Sequence, residues 1–313
     1  MKVYVRLSTS TGGSTEVEHE RGNAFFAAEA LAMVSRAAEN AGFYGVYVTD
    51  HPFPADSALK MGIGHHSLEP LVPLAVAAAA TKRLRVCTHV YILPYRNPFM
   101  IARGMASLDV VSGGRLILGV GPGWMEGEFD ALGVDFKERN ELTDESIRAM
   151  KVAWSQTGIH MYGRHSKVRG NSMLPHPVQK PHPPIYIGGA SKRAARRAGE
   201  LGDGFVPFMN PAKYAAARHT GSLESLDELR ALITHAQSVA KANGRPPLEV
   251  GCSTFGVVQY GDRGFELQKY VENVRQLHAM GVRSLLLGFS ADTPREHADK
   301  MIGFGREVLT HLP

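Results

Sequence analysis

The 313-residue sequence predicts an α/β fold, a (β/α)8 TIM barrel with long loops at its C-terminal face. Three observations lead there. Strand-like and helix-like stretches alternate strictly, eight of each. The strand-like stretches are mostly continuous apolar runs, as expected where both faces of a parallel sheet are covered. No G-x-G-x-x-G follows the first strand, which weighs against a doubly wound open sheet, the other architecture that such alternation permits. Neither a linker nor an internal repeat interrupts the pattern, so residues 1–313 read as one domain.

The elements follow in order. Residues 2–7 form the first strand, and a helix over 24–41 ends on Asn40-Ala41-Gly42, with the glycine as its cap. A strand over 45–50 precedes a helix over 69–80, and a strand over 84–93 precedes a helix over 98–111. Ser112-Gly113-Gly114 stops that helix and turns into the strand 115–121, with a helix over 142–155 beyond it. Next come strand 184–188, helix 191–201, strand 204–208 and the long helix 223–243, which Asn243-Gly244 and Pro246-Pro247 terminate. Strand 248–258, helix 265–280, strand 282–288 and helix 294–310 complete the series. Four loops are long: 8–23 (rich in Ser, Thr and Gly, expected to be mobile), 51–68, 158–182 and 209–222. Long loops in a compact domain carry function or are disordered. The segment 158–182 leads into a strand, so part of it is expected on the opposite face.

Bulk composition narrows the class. With 44% hydrophobic and 21% charged residues the chain reads as an ordinary soluble protein, and no apolar run has the length of a membrane span. The N-terminal MKVYVRL is a strand pattern and not a signal peptide. Cys87 and Cys252 lie inside apolar runs, which points to buried thiols in a reducing compartment and to a cytoplasmic location. The formal net charge of +5 is spread out, without the basic-aromatic face of a nucleic-acid binder. It suits an acidic small-molecule partner as well as plain solubility.

One stretch organises the rest: residues 183–208, reading strand, glycine turn, helix, strand. Gly188 and Gly189 let the backbone curl close to a ligand, and Ser191 stands at the N-cap of the following helix. A helix start offers free N–H groups and a positive dipole end. Lys192 and Arg193 in its first turn imply something negative nearby. Gly188, Gly189, Ala190 and Ser191 therefore fit a phosphate site. The same pattern also fits an ordinary βα turn with Arg193, Arg196 and Arg197 as a solvated helix face.

Four segments carry a family resemblance: FYGVYVTDH at 43–51, SLDVVSGGRL at 107–116, GVGPGW at 119–124 and PPIYIGGAS at 183–191. In order and spacing the chain resembles the luciferase-like monooxygenase superfamily, most of all the branch that uses the deazaflavin coenzyme F420. The resemblance covers nearly the whole chain. It implies an isoalloxazine-type ring at the C-terminal ends of the strands, two-electron hydride chemistry, and the phosphate of F420 or FMN on Gly188–Ser191 with Arg193 close by. It implies a non-proline cis peptide at the end of the third strand, for which the matching place is His89-Val90, against the ring. A homodimer is likewise implied.

Asp50 and His51 end the second strand, where a barrel places functional side chains. The resemblance puts a histidine there beside the reactive edge of the ring, and His51 is the candidate acid/base; otherwise Asp50 caps a turn and His51 is half-buried. Gly121 and Trp124 follow the fourth strand, Trp124 as a wall of the ring pocket or as core. Sugar-phosphate dehydrogenases of the F420 branch place a proton-donating glutamate near this point. This chain has Trp124 there and glutamates later, which argues against glucose 6-phosphate as substrate. Glu126 is the second catalytic candidate; both Glu126 and Glu128 could reach the pocket, or face solvent from a first helical turn. Tyr91, Tyr95 and Arg96 line either a substrate pocket or an interface. His65-His66 has no companions at metal-ligand spacing, and no metal is expected. Ser112 sits in no G-x-S-x-G elbow. The reading is hydride transfer between F420 and a small organic substrate, with an FMN-dependent monooxygenase and a non-catalytic flavin-binding barrel as rivals.

Overall fold

The computed structural model describes residues 1–7, 10–11 and 24–313. Among these, eight parallel strands close into a barrel: β1 (Lys2–Arg6), β2 (Gly45–Val48), β3 (Arg85–Ile92), β4 (Leu116–Gly121), β5 (Ile185–Gly188), β6 (Gly204–Val206), β7 (Glu249–Cys252) and β8 (Ser284–Leu287). Neighbours in the chain are neighbours in the sheet, and β8 returns to β1 with Lys2 opposite Ser284. The helices that cover it are α1 (Ala28–Asn40), α2 (Leu71–Ala80), α3 (Pro98–Val111), α4 (Arg139–Ser155), α5 (Lys192–Leu201), α6 (Leu226–Ala242), α7 (Leu267–Ala279) and α8 (Pro294–Glu307).

Strand periodicity sorts the side chains into two cores. Tyr4, Tyr47, Cys87, Ile117, Tyr186, Val206 and Leu286 meet inside the barrel. The residues in antiphase, such as Val3, Val5, Val46, Val48, Leu116 and Leu118, pack outward under the helices. Both strand faces are thus dry, which is why these strands read as unbroken apolar runs.

The SGGRL motif serves the scaffold. Arg115 donates from Nη2 to the Ala78 carbonyl (2.7 Å) and from Nη1 to Thr81 Oγ1 and the Leu84 carbonyl (both 3.0 Å), tying the end of α2 to the start of β4. Asp109, fully buried on α3, accepts from the Gln179 amide N–H (3.0 Å) and Nε2 (2.7 Å), fixing the approach to β5. Both contacts lie where strands begin, away from the C-terminal face.

Three expectations change. The seventh strand stops at Cys252, and residues 253–258 leave the sheet, with Phe255 buried in the surrounding core. Segment 158–182 is not all loop: Ile159–Tyr162 and Lys167–Asn171 form an antiparallel hairpin beyond α4. Of the loop 8–23, the described part, Ser10–Thr11, pairs with His66–Ser67; its expected mobility falls on residues outside those described. No helix among the described residues is long and apolar enough to cross a membrane.

Candidate active site

A cavity of about 740 Å³ opens at the C-terminal ends of the strands. That is a size suited to one cofactor-sized molecule with room beside it. Thr49, Asp50 and His51 enter from the end of β2, His89 and Val90 from β3, Gly121 and Trp124 after β4, and Gly188, Gly189 and Ser191 after β5. Residues far apart in the chain thus share one cavity, as the barrel topology requires.

His51 is the best-supported imidazole. Its side chain is 12% exposed, and Nδ1 lies 3.1 Å from Glu128 Oε2. Glu128 is completely buried and also accepts from the Tyr95 hydroxyl (2.8 Å) and the Phe53 N–H (3.2 Å). Burial and the neighbouring Glu128 carboxylate hold the Tyr95 phenol firmly protonated, so it acts as a donor. A carboxylate surrounded by donors fixes a proton on Nδ1 of the imidazole, leaving Nε2 as the nitrogen free to exchange one. Trp124 stands edge-on to His51 with ring centroids 6.0 Å apart, and the His65 ring lies at 4.6 Å.

Glu126, the expected second catalytic residue, is not brought into the cavity. Its side chain is 57% exposed and lies 4.0 Å from His219 Nε2. The short helix Glu126–Ala131 explains the split. Residues two apart on a helix point to nearly opposite sides, so Glu128 turns inward where Glu126 turns out. Asp50, expected at the cofactor, has both oxygens engaged by the protein: Arg96 Nη1 and Nη2 donate to it at 2.7 and 2.9 Å, and the Ile92 N–H at 2.9 Å. Arg96 also stacks on Tyr91, 4.3 Å from the ring centre. Asp50 therefore braces the loop that carries His51.

The opposite end of the cavity is cationic. Ser191 caps α5 by accepting from the Ala194 N–H (3.1 Å), and the N–H groups of residues 190–193 have no protein acceptor among the described residues. Arg139, Arg193 and Arg197 line this end, Arg193 held by Glu141 (2.6 Å) and Arg197 by Asp144. Sequence reasoning missed Arg139 and Asn140, whose helix begins three residues earlier than expected, and Arg218, Thr220 and Gly221 of the loop after β6.

Val90 packs between two glycines. A Cβ on Gly188 would stand 2.4 Å from one Val90 methyl and a Cβ on Gly121 2.9 Å from the other, while Gly189 adopts φ +133°. A side chain at Gly188 or Gly121 would displace Val90, and one at Gly189 would be strained and meet Ala194. The His89–Val90 peptide is cis. His89 itself turns edge-on to Tyr47, centroids 5.3 Å apart.

Burial keeps several groups neutral. It pushes the Cys87 and Cys252 thiols up to about 12, which leaves neither as a nucleophile. It pushes His65 down to about 3, and His89 and His297 down to about 4. An unfolded chain takes up these protons below about pH 6.5, whereas the folded one resists until about pH 4. Stability is therefore full above that range and is lost as pH falls through it, by about 1.4 kcal/mol per pH unit for each histidine. Thermal melting between pH 7 and 4 is expected to show this decline, and His297→Asn to make it shallower; an unchanged slope in the variant would count against it. Among the described residues no three His, Cys, Asp or Glu side chains converge for a metal. His65 bonds Thr49 Oγ1 (2.8 Å) while His66 lies on the edge ribbon.

Comparisons with known proteins bear on the family and the fold. The sequence profile described as luciferase-like monooxygenase matches residues 1–307. The chain is 29% identical over 280 residues to an FMNH2-dependent dimethylsulfone monooxygenase of Pseudomonas putida, covering 74% of this chain and 75% of that protein. It is 32% identical over 173 residues to an F420-dependent glucose-6-phosphate dehydrogenase of Amycolatopsis mediterranei, covering 54% of this chain and 50% of that protein. A solved monooxygenase from Streptomyces bottropensis shares the fold at a TM-score of 0.76 and 20% identity, covering 99% of each chain.

Proposed function

The chain belongs to the luciferase-like monooxygenase family, and from that premise we propose that it is an oxidoreductase transferring a hydride between coenzyme F420 and a small organic substrate. One observation carries the reading. A single cavity has free amides, Ser191 and three arginines at one end, and an imidazole backed by a buried carboxylate toward the other. The residues present fit a phosphorylated tricycle. The Gly188–Gly189 cradle admits a close approach, and the amides and guanidiniums supply the charge that a phosphate needs.

Gly188, Gly189, Ala190, Ser191 and Arg193 would hold the phosphate; His89, Val90, Gly121 and Trp124 would border the ring. When bound, the cofactor supplies two-electron hydride chemistry. The protein positions and protonates. Glu128 keeps Nδ1 of His51 protonated, and Nε2 gives or takes the proton at the substrate oxygen. Trp124, Ile63 and Tyr95 wall the His51 side and exclude water.

F420 is preferred over FMN on charge outside the cavity. Beyond Arg193 a shallow groove continues with Lys192, Arg196 and His235. The acidic tail of F420 matches Lys192 and Arg196, and FMN has no group to place there. A calorimetric titration is expected to find F420 bound at least about tenfold more tightly than FMN, with the difference reduced at high salt. Tighter binding of FMN together with substrate-dependent oxygen uptake would instead select the monooxygenase reading, to which the Pseudomonas putida relative lends weight.

A further inference from the structure

The cations lining the cavity are not equally provided for. Arg193 and Arg197 have carboxylate partners, and the one carboxylate on the wall, Asp50, is taken by Arg96. Arg6 differs. Among the described residues it makes no ion pair, and its Nε is sealed from solvent without a hydrogen-bond partner. It sits in register with Tyr47 at the end of β1, and its guanidinium lies about where a side chain on Gly288 would begin, 3.5 Å from the Cβ position. Among the described residues, the titratable groups that feel its charge are Tyr47, His65 and His297. None is an anion at neutral pH: burial keeps the Tyr47 phenol protonated, and the two imidazoles, kept neutral by burial, carry no negative charge. A half-buried guanidinium without a counter-charge among the described residues is unfavourable, and arginine in such a place is suited to an arriving carboxylate.

Its position gives the charge a purpose. In an eight-stranded barrel connected in chain order, β1 stands four strands from β5 in either direction, so Arg6 lies across the mouth from the Gly188–Ser191 end. His65 feels the Arg6 charge and its ring lies 4.6 Å from that of His51, so Arg6 and His51 flank one stretch of the cavity. We infer that the substrate is a small organic anion, a carboxylate in the first instance, whose charged group pairs with Arg6 while its reacting carbon lies toward His51. The assignment rests on the proposed function only for where the cofactor lies; the anion site stands on Arg6 itself.

The test uses benzoate and its neutral isostere benzamide as probes, titrated calorimetrically into the full-length protein with and without cofactor. Benzoate is expected to bind at least about tenfold more tightly than benzamide, the preference to vanish in Arg6→Gln and to survive in part in Arg6→Lys. FMN and F420 affinities are expected to stay within about twofold in both variants. A preference that persists in Arg6→Gln overturns the assignment. So does benzoate displaced by inorganic phosphate, which would place it at the β5 end. A soak of wild-type crystals with 4-bromobenzoate needs no variant: bromine anomalous density near Arg6 supports the site and density elsewhere overturns it. Absence of cofactor binding alongside Arg6-dependent benzoate binding would remove the cofactor reading and leave the anion site.

Discussion

Replacing His51 by alanine is expected to cut turnover by about 10²- to 10⁴-fold while cofactor affinity stays within about twofold. The magnitude follows from the work a positioned proton donor performs, and the sparing of affinity follows from position. His51 stands after β2, and the phosphate-binding end is built after β5. Glu128→Gln is expected to lower turnover by about tenfold, because an amide keeps the shape but not the charge that steadies the imidazolium. The informative measurement is the double variant. If Glu128 acts through His51, then His51→Ala/Glu128→Gln is no slower than His51→Ala alone. Additive losses would mean that Glu128 acts on its own, and an unimpaired His51→Ala enzyme would end the acid/base assignment.

The second large effect concerns stability. Asp50→Ala is expected to destabilise the fold by about 3–5 kcal/mol, since it strands the Arg96 guanidinium and the Ile92 N–H in a site where the carboxylate is 1% exposed. Urea unfolding reads this as a lower midpoint at unchanged slope. Removing both charges, Asp50→Ala with Arg96→Met, is expected to recover part of the loss, because the methionine fills space over Tyr91 without demanding a counter-charge. A loss under about 1 kcal/mol in the single variant would show that the pair is solvated and contributes little.

The barrel was legible because its strands are dry on both faces and its helices end on glycine or proline signals. Gly42 and Gly244 adopt the positive φ that helix ends use, and Gly113 and Gly114 do the same before β4. The end of β7 was not legible: Phe255 and Val257 are as apolar as a strand, but they pack as a loop against the core, and composition does not separate the two. At the site, Gly188–Ser191 and His51 announced themselves through position in the barrel. Glu128 did not, because its partner is 77 residues away and only the phase of a short helix decides which glutamate turns inward. Arg6 carried a readable signal that went unread. It continues the inward phase of Tyr4, so a charged residue there had to meet the barrel mouth.

The Arg115 and Asp109 anchors have a further consequence. They knit the frame at the rim where strands start, while every group assigned to chemistry stands on the far rim. Mutations can retailor the reactive mouth without loosening the frame, and the frame can be tuned without touching reactivity. Such separation lets one scaffold drift among oxidants and substrates, and it makes this chain a suitable host for directed evolution of its upper rim.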